Sequence, residues 1–164
     1  MSNKPYKAAS LNDALEFLAE NESLIFAGGT DLMVQYSRGT GLSPAFPKAP
    51  LFIGQLTELR QIKNSKKALY IGAAVTLSEL LDHPAIPLIF KTILSQMASL
   101  PSRNTASIGG NICNASPAGD TLPYLIAANA EIRLQSFNQE RIVPLAEFIT
   151  GPKTTILKLS LIHI

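Results

Sequence analysis

Ile25-Phe-Ala-Gly-Gly-Thr-Asp-Leu32 is the stretch on which the reading of this chain turns. A short apolar run, Leu24–Ala27, stops at Gly28-Gly29, and Asp31–Gln35 then follows a helical pattern. A strand that breaks at two glycines and enters a helix leaves free backbone N–H groups at the helix start, where the main chain can approach an anion closely. Thr30 adds a hydroxyl donor. The turn is neither G-x-G-x-x-G nor G-x-x-x-x-G-K-[ST], so the common dinucleotide and P-loop fingerprints are absent. Taken alone, it fits a tight βα turn without a ligand as well as one with a phosphate.

Upstream, an extended piece around Tyr6–Ala9 leads to Ser10-Leu-Asn-Asp13, a capping-box variant. Leu11, Ala14, Leu15 and Leu18 then form one helical stripe that Asn21-Glu22 ends. Downstream, Ser37–Pro50, with Pro44, Pro47 and Pro50, reads as a surface loop, and Leu51–Ile53 as another short strand. Strand, helix, strand, turn, helix is the order of an α/β lobe.

The rest of the chain changes character. Leu56–Leu59 reads as a helical turn, and a hairpin runs from Gln61–Lys63 to Leu69–Ile71. Thr76-Leu-Ser-Glu79 is a capping box opening a short helix that ends before Pro84. Pro87 opens a longer helix to about Ala98, with Leu88, Phe90 or Lys91, Ile93, Leu94 and Met97 on its covered face. Leu122–Ala128 reads as a helix, and Glu131–Ser136 with Arg141–Val143 as a second hairpin. The expected fold class is α+β: a small N-terminal α/β lobe over 1–54 and a larger α+β lobe with an antiparallel sheet over 55–158.

A second glycine turn lies in the larger lobe. Asn104-Thr-Ala-Ser-Ile-Gly-Gly-Asn-Ile-Cys-Asn-Ala-Ser-Pro-Ala-Gly119 is closed by Asp120, and nothing between Arg103 and Asp120 is charged. A plain surface loop would carry Lys and Glu. This one is rich in Gly, Ser and Asn, which satisfy a buried loop's own polar groups or line a ligand with many hydrogen-bonding atoms. Asp120 fits either a ligand contact or the N-cap of the next helix.

Composition removes other classes. Of 164 residues, 46% are hydrophobic and 16% charged, so a core can form and disorder is excluded. The net charge of +2 and the absence of a long basic run argue against a nucleic-acid groove binder. No apolar stretch reaches the ~18 residues of a membrane span. The N-terminus lacks the apolar core of a signal peptide, and a cytoplasmic location is expected. Cys113 is the only cysteine, so an iron–sulfur cluster, which needs about four thiolates, cannot sit in this chain alone. Cys113 is expected as a buried apolar residue rather than a redox thiol. With His83 and His163 as the only histidines, neither a metal site nor a catalytic triad is expected.

At its two glycine turns the sequence resembles the FAD-binding subunit or domain of the molybdenum hydroxylases, which include xanthine dehydrogenases and aerobic carbon monoxide dehydrogenases. The matching residues are Ala27-Gly-Gly-Thr-Asp-Leu32, Arg103-Asn-x-Ala-Ser-Ile-Gly-Gly-Asn111 and Asn114-Ala-Ser-Pro-Ala-Gly-Asp120. Ile71-Gly-Ala-Ala-Val-Thr76 and Gly151-Pro-x-x-Thr155 are similar to the family as well. The resemblance implies a PCMH-type FAD-binding fold in which the two lobes clasp FAD. It implies that Ile25, Phe26, Ala27, Gly28, Gly29, Thr30, Asp31 and Leu32 wrap the pyrophosphate. Ser107, Ile108, Gly109, Gly110, Asn111, Asn114, Ser116 and Asp120 would hold the rest of the cofactor, with Asp120 near the adenosine or ribityl hydroxyls.

The same resemblance implies an oxidoreductase subunit without an acid–base triad. Electrons would arrive from a [2Fe-2S] small subunit, beside a molybdopterin-binding large subunit, and leave to NAD+ or another acceptor. A binding or assembly module of the same fold that does not retain flavin is the alternative. Pro101-Ser102 stand where the family commonly has Gln-Ile, and Leu159–Ile164 departs from the family pattern. The end is therefore read as truncated or non-native, with a tail over 159–164 that is frayed or weakly docked.

Overall fold

The computed structural model describes residues 4–157 and the backbone of 161–163. The N-terminal part is built from β1 (Tyr6–Lys7), α1 (Leu11–Glu20), β2 (Leu24–Phe26), α2 (Thr30–Gln35) and β3 (Pro50–Phe52). All pairing in its sheet is parallel, with β3 between β1 and β2. The Ser10 hydroxyl caps α1 by accepting the Asp13 N–H at 3.1 Å. Asp13 does not close a box on Ser10. Its carboxylate takes the Ala9 N–H at 2.7 Å and the Tyr6 hydroxyl at 2.6 Å, which ties the helix start to β1. Leu15 and Leu18 of α1 pack with Leu51, Ile53, Leu56 and Leu59 into a buried cluster. The residues of β2 are half-buried rather than buried, because their sheet is only three strands wide and covered by one main helix.

The larger part begins with the expected hairpin, β4 (Ile62–Asn64) and β5 (Leu69–Ile71), followed by α3 (Leu77–Asp82). The Thr76–Glu79 capping box is complete in both directions. Next come α4 (Leu88–Gln96), α5 (Leu100–Arg103), α6 (Ile108–Asn114) and α7 (Thr121–Ala127). The chain closes with β6 (Glu131–Gln135), β7 (Glu140–Pro144), α8 (Leu145–Phe148), β8 (Ile149–Gly151), β9 (Thr154–Thr155) and β10 (Leu161–His163). β6 lies between β10 and β7 in an antiparallel sheet, and its Ile132 and Leu134 point into the main core with Leu77, Leu80, Phe90, Ile108 and Phe148. The α+β expectation holds.

Three local expectations need correction. Residues 104–119 are not one loop, because α6 occupies their centre; the pair Ile108 and Ile112 sits at helical spacing and is fully buried, which overrides the weak helix propensity of glycine and asparagine. Leu88 is not on the covered face of α4: it is 80% exposed at the helix's first turn, and Phe90 and Leu94 are the buried pair. That helix also ends at Gln96, before Ala98 takes a left-handed φ of 50°. Of the tail expected to be frayed or weakly docked, 159, 160 and 164 lie outside the described residues, and Leu161–His163 are docked as a strand on β6.

Candidate functional site

The two glycine turns meet. β2 ends at Phe26, and Gly29 takes φ 72° to turn the chain into α2. Gly28, between them, lies flat against the chain leading into α6: a Cβ there would stand 2.1 Å from the Thr105 carbonyl oxygen and 3.0 Å from the Ser107 nitrogen. Only glycine permits that approach. The contact joins the smaller buried cluster's sheet to the larger part's helix at one line of main chain.

Around that line, donors are left over. Among the described residues, the N–H groups of Gly28, Gly29, Asp31 and Leu32 donate to no protein acceptor; the first amide of this turn to do so is Met33, to the Gly29 oxygen at 2.9 Å. Gly28 and Gly29 are half-buried, whereas Thr30 and Asp31 are exposed. Unpaired N–H groups at a helix start are the donors an anion uses. Ile25 and Phe26 are placed differently. Ile25 packs on the smaller core, and the Phe26 ring lies against Phe46 and Phe52, so these side chains build the wall behind the turn.

On the other side, Ser107 is the N-cap of α6 and its hydroxyl accepts the Gly110 N–H at 3.2 Å. The Ile108 and Gly109 N–H groups are used up, each donating at 2.9 Å, to the Val75 and Ala73 oxygens. Both residues are buried, so they hold the turn in place and offer no free donor. Gly110 is exposed, and a Cβ there would meet nothing closer than the Ser107 hydroxyl at 3.0 Å. Asn111 Oδ1 accepts the hydroxyl of Thr121, a fully buried residue. That bond fixes the amide, leaving its NH2 as the outward donor.

Asn114 ends α6, and Ala115 follows in the left-handed region at φ 44°, its oxygen accepting the Lys153 N–H at 2.9 Å. The Ser116 hydroxyl accepts the Ala118 N–H at 3.3 Å and shapes the turn towards α7. Asp120 precedes α7 without capping it: its backbone is helical and its side chain makes no cap bond. Its exposed carboxylate is therefore free to accept hydroxyls from outside. Ser116, Pro117, Gly119 and Leu122, with Ile149 and Pro152, line a largely apolar groove of about 420 Å³. Cys113 is half-buried at the edge of the main core, and desolvation pushes its thiol up to about 12, so it is not a thiolate at neutral pH.

Two residues that matter here, Thr105 and Thr121, carry no sequence signal of their own, while Arg103 opens the stretch that resembles the family. Thr105 supplies the carbonyl that Gly28 packs on. Thr121 clamps Asn111. Arg103 turns away from the site, donating to the Met97 and Ala98 oxygens at 2.8 and 2.7 Å. Neither glycine turn thus contributes a basic side chain, and main-chain amides are the donors on offer. That donor set fits a pyrophosphate held by backbone N–H groups, with Asp120 and Asn111 suited to hydroxyls and ring heteroatoms further along.

Residues 2–162 match the family described as FAD binding domain in molybdopterin dehydrogenase. A putative xanthine dehydrogenase FAD-binding subunit of Escherichia coli K12 is 31% identical over 152 residues, covering 90% of this chain and 51% of that protein. The glyceraldehyde dehydrogenase medium chain of Sulfolobus acidocaldarius is 33% identical over 153 residues, covering 91% and 53%. The chain thus spans about half the length of these relatives. In fold it superposes on a chain of carbon monoxide dehydrogenase from Hydrogenophaga pseudoflava with a TM-score of 0.87 at 24% identity, covering 100% of this chain and 59% of that one. A chain of quinoline 2-oxidoreductase from Pseudomonas putida 86 gives 0.86 at 24% identity, covering 99% and 58%.

Proposed function

The chain belongs to the family of FAD binding domains in molybdopterin dehydrogenases, and on that premise we propose that it holds FAD across the junction of its two glycine turns. The observation that carries the reading is Gly28 seated against Thr105 with unspent amides on the α2 side and the open Gly110 on the α6 side. In this reading the lobes over 1–54 and 55–158 clasp the cofactor. The N–H groups of Gly28, Gly29, Asp31 and Leu32 and the Thr30 hydroxyl bind the pyrophosphate, each charge-assisted bond contributing about 1.5–3 kcal/mol. Gly110 leaves room for close approach, the Asn111 NH2 donates, and Asn114, Ser116 and Asp120 line the path of the remainder. Ile25, Phe26, Ala27, Ile108 and Gly109 act as the wall that fixes those donors.

Bound FAD supplies the redox chemistry of the site. The protein's part is to position it and to keep one face apart from water, which requires no acid–base residue. The wider role is that of the flavin subunit of a xanthine or carbon monoxide dehydrogenase-like oxidoreductase. Its partners are a molybdopterin-binding large subunit and a [2Fe-2S] small subunit, with electrons passing from the clusters through this chain to NAD+ or another acceptor. What supports this role is the family and the relatives that are themselves named as dehydrogenase subunits.

Titration of the purified chain with FAD, followed by quenching of flavin fluorescence, tests the binding reading. Saturable uptake that Gly110→Val removes supports it. A folded chain that ignores FAD at every concentration sinks it in favour of a flavin-free assembly module.

A further inference from the structure

Beside the glycine junction lies a polar bridge that the binding residues do not include. Arg60 follows the helical turn Thr57–Leu59 and reaches in two directions. One guanidinium nitrogen donates to the Gly54 oxygen at 3.2 Å, and the other pairs with the Glu79 carboxylate. Each end leads to one glycine turn. Gly54 sits just after β3, and a Cβ there would stand 2.9 Å from the Ala27 oxygen, so Gly54 is packed against the first turn. Glu79 accepts the Thr76 N–H at 2.7 Å and the Thr76 hydroxyl at 2.9 Å. Thr76 in turn pairs with Ser107 in an isolated antiparallel bridge, through Ile108 N–H to Val75 O at 2.9 Å and Leu77 N–H to Ala106 O at 3.0 Å.

We propose that Arg60 and Glu79 are positioning residues for the cofactor cleft: a charged strut, running from Gly54 to Thr76, that sets the first glycine turn against the second. Neither residue belongs to the set that would touch the cofactor. The main-chain link in the same region is thin, with Ala74 N–H to Leu59 O at 2.9 Å and Gly72 N–H to Gln61 O at 2.8 Å. Small sliding at this seam moves the α2 amides relative to Ser107 and Gly110, and a pyrophosphate that must be met by several amides at once is sensitive to such a shift. The strut is a local electrostatic link at partly exposed side chains, so it tunes geometry more than it stabilises the fold.

The flavin arm of the test rests on the reading under Proposed function; a second arm does not. A double-mutant cycle on the full chain uses Arg60→Gln and Glu79→Gln. Glutamine at 79 keeps an acceptor for the Thr76 cap, so that variant removes the charge pair rather than the capping box. Each single change is expected to weaken FAD binding by roughly three- to tenfold, with the far-UV spectrum of the flavin-free chain unchanged. The double variant is expected to be no worse than either single one. Losses that add, or an Arg60→Gln chain that binds FAD as the parent does, overturn the proposal.

Hydrogen exchange on the flavin-free chain is the second arm. Faster exchange at Ala74 and Gly109 in Arg60→Gln, with the β6 amides unchanged, supports the strut, and an unaltered pattern overturns it. A parent chain that shows no FAD uptake but the expected exchange pattern would sink the flavin reading and leave the strut standing.

Discussion

Gly28 and Thr105 meet main chain to main chain, with room for no Cβ between them: one placed on Gly28 would lie 2.1 Å from the Thr105 carbonyl oxygen. The first glycine of the first turn is thus a packing contact between the segment after β2 and the segment entering α6, as well as a neighbour of the donors. The two glycines that would ordinarily be mutated to probe the cleft therefore report on different things.

Gly28→Ala is expected to damage the fold. The opposing atom is backbone and cannot rotate away, so the turn or the segment entering α6 has to shift. A destabilisation on the order of 2–4 kcal/mol follows from such a main-chain clash. Thermal unfolding of the flavin-free chain checks it; a melting point equal to the parent's would mean that the two segments separate easily.

Gly110→Val is the cleaner probe. A Cβ added there would stand 3.0 Å from the Ser107 hydroxyl, a tight contact with a side chain that can shift, and would meet nothing else within 4 Å. Its expected signature is an unfolding midpoint within a few degrees of the parent's together with FAD affinity reduced by at least about 100-fold, since the blocked approach costs several charge-assisted bonds. Equal affinity in the two chains would place the cofactor elsewhere.

Much of this was legible in the sequence, and the reasons differ by element. The stripe Leu11, Ala14, Leu15, Leu18 and the Thr76–Glu79 box are local signals, and α1 and α3 form where they lie. The meeting of Gly28 with Thr105 is non-local, so spacing along the chain says nothing about it; the family resemblance implies only that the two glycine turns come together, not this contact. In the sequence α6 reads as loop because Gly109, Gly110, Asn111 and Asn114 are poor helix formers, and the burial of Ile108 and Ile112 that outweighs them depends on α7 and the rest of the main core being there to cover them. Ile108 and Gly109 count among the expected site residues, yet their donors are spent on Val75 and Ala73, a pairing that only the folded hairpin-to-helix seam creates.

Acid should loosen the molecule through three carboxylates that are held below their ordinary range. Asp13 is lowered by the Tyr6 hydroxyl and then by the Ala9 N–H, and Glu58 mainly by the Leu11 N–H. For Glu79, burial pulls upward, but the Thr76 amide and hydroxyl and the Arg60 charge outweigh it. A depressed folded pKa means that the stabilising contribution is present above the unfolded value and is lost as pH falls through the folded one. Stability is therefore expected to be level near neutrality and to decline below about pH 4.5, the usual carboxylate range. Asp13→Asn should be less stable than the parent at pH 7 and should converge with it at low pH. Denaturant midpoints at several pH values check this, and a constant gap at all pH values would show that the Asp13 charge has no part.

Thr121 and Asn111 form a separable test of the donor assigned to Asn111. Thr121→Val keeps the shape of the buried side chain but removes the hydroxyl that orients the amide. It is expected to cost about 1–2 kcal/mol of stability, the range for a lost buried hydrogen bond. It should also weaken FAD, because the freed amide no longer points its NH2 outward. Asn111→Asp keeps an acceptor for Thr121 and replaces the outward donor with a carboxylate oxygen, so it should lose more affinity than Thr121→Val while losing less stability. The reverse ranking in paired melting and FAD-titration measurements would show that Asn111 is structural only.

Cys113 should be chemically sluggish while the chain is folded. Burial among the residues around α6 holds its pKa at about 12, so at pH 8 the folded chain presents almost no thiolate. A disulfide reagent should therefore modify it slowly in the folded chain, where thiolate is scarce, and at full speed only in denaturant. The same shift has a consequence for stability in alkali. Between the unfolded value near 9 and the folded one, the unfolded chain releases a proton that the folded chain keeps, so stability is intact below about pH 9 and falls as pH rises from there towards 12. Cys113→Ser puts a hydroxyl in the same place and cannot ionise, so its stability should lose that alkaline slope while starting lower at pH 7. Rapid labelling of the native parent at pH 8 would mean instead that the α6 end opens locally, which would bring the adjoining Asn114 and Ser116 into motion with it.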